Sequence, residues 1–245
     1  MADSQLQKSH TKEEIHKRLA GTKRSYLGDF LLGAIDGTVT TFAIVSGVAG
    51  AGLVTSAALI LGLANLLADG FSMAVSNFFR AKTEHDILKK ARKEEELHID
   101  RVPEGERLEI REIFAKKGFS GEELEKIVEL ITSKRHVWVE TMLKEEHKLD
   151  VQPPEPVISG WVTFLGFVFA GSIPLLPLLF GFQIDDSFFY CATAAGVTFM
   201  LIGWIRGRIL DQSPLLSSLK TLIIGMGAAA IAYGIGYGAQ QLISA

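Results

Sequence analysis

The sequence predicts an all-α polytopic membrane protein, with five membrane-spanning helices and a charged cytoplasmic helical insert between the second and third. Three observations carry this expectation. Of the 245 residues 48% are hydrophobic, yet 22% are charged, a mixture that implies segregation of the two kinds along the chain. Of the 28 acidic residues 18 lie between Glu84 and Asp150, as do 14 of the 25 basic ones. On either side the chain is apolar over long stretches, and from Gly37 to Ala68 no side chain is charged.

That uncharged run is too long for one bilayer crossing at about 1.5 Å per residue, so two helices share it. The small, turn-tolerant residues Gly50-Ala51-Gly52 and Thr55-Ser56 make the natural hairpin, giving spans near 30–51 and 56–79. Three more apolar runs follow the insert, near 157–181, 188–205 and 215–243. Pro174 and Pro177 free backbone carbonyls in the third span and are expected to break its helix. Within the insert, apolar residues recur at helical spacing (Ile110, Ile113, Phe114; Leu124, Ile127, Val128, Ile131; Val139, Met142, Leu143). Helices are expected near 82–99, 104–117, 121–133 and 135–148. Pro103 suits the first turn of the second, Gly118 its end, and Ser120 with Glu123 has capping-box spacing for the third. The chain thus divides into a basic arm (1–28), two spans (29–81), the insert (82–150) and three spans (151–245).

Lys and Arg are retained on the cytoplasmic side. The arm, the insert with Arg80 at its edge, and the Arg206/Arg208/Lys220 connection carry all of them, whereas the 50–56 turn, the 181–187 loop and the C-terminal tail carry none. The two sets alternate, so the N-terminus and insert are expected in the cytoplasm and the C-terminus on the opposite side. A net charge of −3 with no basic run interleaved with aromatics argues against nucleic acid as a partner. The lone cysteine, Cys191, allows no disulfide or thiolate zinc site within the chain. No short apolar segment with a cleavage site opens the chain, so no secretory signal is expected.

Two carboxylates, Asp36 and Asp69, fall inside expected spans, where an acid costs several kcal/mol unless it faces a partner or a polar cavity. Asp36 is seven residues past Asp29, and Met73 seven before Arg80, so both are expected about 10 Å from the cytoplasmic ends of antiparallel helices. Asn65, Asp69 and Met73 form a stripe at successive helical turns. Facing Asp36, it offers oxygen and thioether ligands to a dehydrating cation. The plainer alternative is that these acids hydrogen-bond neighbouring helices. In the insert, Glu95 and His98, Glu106 and Glu109, and Met142 and Glu146 each share a helix face, so three faces can converge on metal. Glutamates also decorate ordinary solvated helices, and the lysine- and arginine-rich background suits that reading too.

Asp29 through Gly52, Gly62 through Lys82, the insert ending Met142-Leu143-Lys144-Glu145-Glu146-His147, and Ile173-Pro174-Leu175-Leu176-Pro177 resemble, in that order, the vacuolar iron transporter family. The resemblance implies a homodimer of five-span subunits in a lipid bilayer. It further implies exchange of cytoplasmic Fe²⁺, often also Mn²⁺, for protons, with metal as substrate, no cofactor, and the pathway at the subunit interface. Position by position, Asp36 and Met73 match the family's membrane ligands, and Glu95, Glu106, Glu109, Met142 and Glu146 its cytoplasmic metal ligands. This chain departs at Asn65, where a glutamate is common, while Asp69 adds a carboxylate one turn away, and the resemblance implies that Asp69, with Asp36, takes the proton-coupling role. His98 replaces a glutamate and Leu143 a methionine. The resemblance implies a plasma-membrane protein in a prokaryote and a vacuolar or other endomembrane protein in a eukaryote. The competing expectation is a membrane-anchored ferritin-like ferroxidase or metal-binding protein, because Glu95-x-x-His98 has di-iron ligand spacing. Such bundles use two of these pairs on long helices, and the insert offers one.

Overall fold

The computed structural model describes residues 11–20, 24–180 and 184–244, and among these the chain is helical with no strand. We number the helices α1 (Lys12–Ala20), α2 (Leu27–Gly50), α3 (Thr55–Arg101), α4 (Pro103–Lys116), α5 (Gly121–Thr132), α6 (Arg135–Glu145), α7 (Pro156–Ser172), α8 (Ile184–Ile209) and α9 (Pro214–Ser244). A 3-10 helix, Ile173–Phe180, extends α7. Among the described residues, five helical segments are long and apolar enough to cross a membrane: α2, α3, α7 with its 3-10 extension, Ser187–Ile209 within α8, and α9. The protein is an all-α polytopic membrane protein.

α2 is the centre of the membrane part, packing on α7, α9, α3 and α8, while α7 lies between α2 and α3. Close approach of α2 and α7 depends on missing side chains. A Cβ on Gly33 would collide with the Thr163 carbonyl, and one on Gly37 with that of Phe167. The Gly33-xxx-Gly37 spacing is therefore used within the chain, whereas Gly234 and Gly238 face open space. Phe42, Val45, Leu66, Phe167, Leu175 and Phe199 fill the core between these helices, with Cys191 buried among them.

Several sequence expectations change. The second span and the first insert helix are one unbroken helix, α3, of 47 residues, or about 70 Å against a hydrocarbon core of about 30 Å. The shift from apolar to charged residues near Arg80 marked a boundary in composition only. No glycine or proline lies between Gly70 and Pro103, and Arg80 bonds Glu84 one turn on at 2.5 Å, so nothing stops the backbone. The third span changes from α to 3-10 geometry at Ile173, where Pro174 and Pro177 withdraw amide donors, as the prolines predicted. Arg206 and Arg208 lie inside α8 and Lys220 inside α9, so the connection between them is shorter than expected. Ser120 does occupy the N-cap position of α5, but its hydroxyl makes no capping bond. Residues 1–10 and 21–23 of the arm and 181–183 of the loop between the third and fourth spans lie outside the described residues.

The insert has its own apolar core of Ala91, Ile99, Ile110, Leu124, Val128, Trp138, Val139, Met142 and Leu143. α4 ends as Gly118 predicted. Gly118 has φ 100°, its N–H bonds Ala115 O, Phe119 N–H reaches back to Phe114 O, and the two phenyl rings pack at 6.1 Å. This is a Schellman ending with its usual hydrophobic contact. α6 stops at Glu145, three residues before the end expected for it.

Candidate functional site

At the end of the membrane bundle nearest the insert, a polar network ties three helices together. Asp29 of α2 accepts from Ser159 Oγ of α7 at 2.8 Å and lies 3.4 Å from the Arg80 guanidinium of α3. Arg80 Nε donates to Asn77 Oδ1 at 2.7 Å, and Asn77 Nδ2 to Thr163 Oγ1 at 2.7 Å. Asn77 is buried, so these bonds answer the cost of placing its amide in an apolar bundle. Because Asp29 and Arg80 meet, Asp36 and Met73 each begin seven residues, or about 10 Å, deeper along antiparallel helices and lie at the same level.

The carboxylates of Asp36 and Asp69 are close enough to repel each other. Asp36 is half-buried and Asp69 exposed on the outer face of α3. Asn65, one turn beyond Asp69, has its Nδ2 buried without a hydrogen-bond partner, and Met73 packs against the membrane core. Asp36 and Asp69 thus lie on neighbouring helices within range of each other's charge, with Asn65 and Met73 on the turns either side of Asp69.

In the insert, the far end of α3, the start of α4 and the end of α6 meet. Glu95 and Glu106 are buried to 2% and 3% exposure. His147 Nε2 donates to Glu95 Oε1 at 2.8 Å, and His98 Nδ1 lies 3.5 Å from Glu106 Oε1. With both glutamates ionised, the second oxygen of each, Oε2, has no hydrogen-bond donor. Burial pushes the Glu106 carboxyl up to about 7, helped by the charges of Glu109, Glu95 and Glu146 and by a hydrogen bond with Glu95. Burial, then Glu109 and Glu95, also raise Glu146, while the bond to Glu95 raises the His147 imidazolium. Two buried carboxylates, Glu95 and Glu106, therefore lie beside the exposed Glu109 and Glu146, and a proton or a cation among them offsets their mutual repulsion.

Met142 is wholly enclosed in the insert core beside Leu143, one turn before Glu146. The remaining acids of the region follow the solvated-surface alternative. Glu94 pairs with Lys90, Glu145 with Lys117 and Lys148, and Glu125 with Arg111. His147 stands in the insert's run of acids and histidines but outside the ligand set that the resemblance carries over, and donor atoms of Glu95, Glu146 and His147 lie within 4.8 Å of one another. Its adjacency to Glu146 was visible in the sequence. Its meeting with Glu95, 52 residues earlier, was not.

The model of the VIT family matches residues 27–237, which take in both clusters. The chain belongs to the VIT family. Similar members include a vacuolar iron transporter of Toxoplasma gondii, 32% identical over 91% of this chain and 78% of that protein. Vacuolar iron transporter 1 of Oryza sativa subsp. japonica is 30% identical over 98% of this chain and 94% of its own length. The vacuolar iron transporter of Plasmodium falciparum is 28% identical, covering 89% and 84%. As a VIT family chain, the protein has an insert cluster with two imidazoles, those of His98 and His147, against its buried glutamates.

Proposed function

We propose that the protein is a transporter that moves Fe²⁺ or a similar divalent metal out of the cytoplasm in exchange for protons, working as a homodimer. The observation that carries this reading is the pair of membrane carboxylates, Asp36 and Asp69, close enough to interact within the bundle. Two acids held at that depth favour a dehydrated cation, and they exchange it for protons when the cation leaves. The printed names of the relatives, vacuolar iron transporters, support iron as the ion. Asp69 lies on an outer face with exposed Leu67 and Phe71. A carboxylate there is costly against lipid, which supports a second copy of the chain covering this face.

In this reading the ion first meets the insert, where Glu95, Glu106, Glu109 and Glu146 replace water with carboxylate oxygen. His98 and Met142 belong to the same set. It then passes between Asp36 and Met73, where a thioether beside carboxylates favours transition metals over Ca²⁺ and Mg²⁺. Asn65 continues the polar stripe beyond Asp69. Purified protein in liposomes is the test, with Fe²⁺, Mn²⁺, Co²⁺ and Zn²⁺ flux followed with and without a pH gradient. Flux of at least one ion, accelerated by an opposing proton gradient, is expected. Fe²⁺-dependent oxygen uptake without flux would instead identify a ferroxidase.

A further inference from the structure

The insert holds a nitrogen donor that the family resemblance does not call for. α6 ends at Glu145, and the N–H groups of Glu146 and His147 both bond Met142 O, at 2.9 and 3.2 Å. Lys148 then turns the chain in the left-handed region, φ 55°, a conformation a lysine adopts rarely. Leu149 N–H closes the turn on Leu143 O at 2.9 Å. This ending folds His147 back toward α3, where its Nε2 meets Glu95 Oε1 at 2.8 Å. Glu95 is 2% exposed, and its other oxygen is buried with no hydrogen-bond donor. A carboxylate oxygen cut off from water in that way is costly unless a cation or proton reaches it. Glu146 supplies a further oxygen within 4.8 Å of both donors.

We infer that His147 is a metal ligand, forming with Glu95 and Glu146 a nitrogen-and-oxygen site beside the one that Glu106 and Glu109 offer. The inference rests on the metal-binding reading of the insert and adds to it a choice among ions. An imidazole suits Zn²⁺, Co²⁺, Ni²⁺ and Fe²⁺, whereas all-oxygen sites suit Mn²⁺ and Mg²⁺. His147 therefore tilts the insert toward the first group. In the ion-free protein Nε2 is held by Glu95, so an arriving cation exchanges that hydrogen bond for two ligand bonds, and the Nε2 proton passes to solvent from a charged ring or to Nδ1 in a neutral one.

The test uses the full chain in detergent, with Co²⁺ and Mn²⁺ binding measured separately by equilibrium dialysis and bound Co²⁺ also followed by its visible absorption. His147→Ala and His147→Gln are each expected to weaken Co²⁺ binding by about tenfold or more. Mn²⁺ binding should fall much less, and the Co²⁺ spectrum should change as nitrogen is lost. His136→Ala, which removes an exposed histidine at the start of α6, the helix that His147 follows, should change neither. The glutamine variant keeps a donor for Glu95. If it restores Co²⁺ affinity and spectrum, His147 only positions Glu95 and the inference is overturned. Equal losses for the two ions, or no loss, overturn it as well. If Glu106→Ala and Glu109→Ala still weaken binding in that case, the metal reading of the insert stands without His147. If the unmodified protein shows no binding that depends on Glu106 and Glu109, the metal reading fails and this inference with it.

Discussion

Replacing Glu106 by glutamine separates the cost of the insert site from its use. The Glu106 carboxyl is raised from 4.5 to about 7, and its side chain is only 4% exposed, so solvent screens it little. A shift of about 2.5 units at about 1.36 kcal/mol each amounts to roughly 3 kcal/mol. The sign follows from proton binding. Below pH 4.5 the group is protonated in both folded and unfolded chains, and no cost arises. Between 4.5 and 7 the folded protein holds the proton that the unfolded chain releases, so stability falls as pH rises, and above 7 the full cost is present. Glutamine is neutral at every pH and similar in size. Metal-free Glu106→Gln protein is therefore expected to be more stable than the parent by up to about 3 kcal/mol at pH 8, with the gain vanishing near pH 4.5. Urea denaturation in detergent would measure this, read by fluorescence of Trp138, which lies in the insert core, in a Trp161→Phe, Trp204→Phe background. Saturating Co²⁺ should reverse the order, because ligand stabilises only what binds it. A variant that is less stable than the parent when metal-free at pH 8, or a difference equal at pH 8 and 4.5, would refute the argument.

Asp36→Asn is expected to abolish metal flux in liposomes, and Asp69→Asn to retain flux but uncouple it from the pH gradient, since each removes a charge that offsets the dehydration cost of an ion. Unchanged Fe²⁺ flux in correctly assembled Asp36→Asn protein would show that the ion does not pass there. Glu109→Ala should weaken divalent-ion binding by about tenfold or more, and exposed Glu122→Ala by less than about twofold, as read by calorimetry on the full chain; equal effects would leave only a generic acidic surface. Val54→Cys, exposed in the turn between α2 and α3, should react with an impermeant thiol reagent from the side opposite to Glu122→Cys. Labelling of both from one side contradicts the orientation drawn from the Lys and Arg distribution.

The five spans could be read from the chain because both signals behind them are one-dimensional. Charge is segregated along the sequence, and the hydrocarbon core sets the number of apolar residues a crossing needs. The same holds for the amphipathic helices of the insert, whose apolar periodicity appears in any window of a few turns, and for the α4 ending at Gly118. The membrane acids were equally visible, since an uncompensated carboxylate within an apolar run stands out wherever it falls. The unbroken α3 shows where reading by composition failed. The change at Arg80 is a change of solvent, and a helix without glycine or proline continues through it. Only the tertiary structure decided which residues meet. Asp29 finds Arg80 across 51 positions and His147 finds Glu95 across 52, and each depends on how whole helices pack. Of the insert's glutamates, Glu95 and Glu106 are buried with one oxygen unanswered, while Glu94, Glu125 and Glu145 find lysine or arginine at the surface. Residue type is the same in all five. What separates them is the neighbouring helix, which removes water from two of them and leaves the others to solvent and counter-charge.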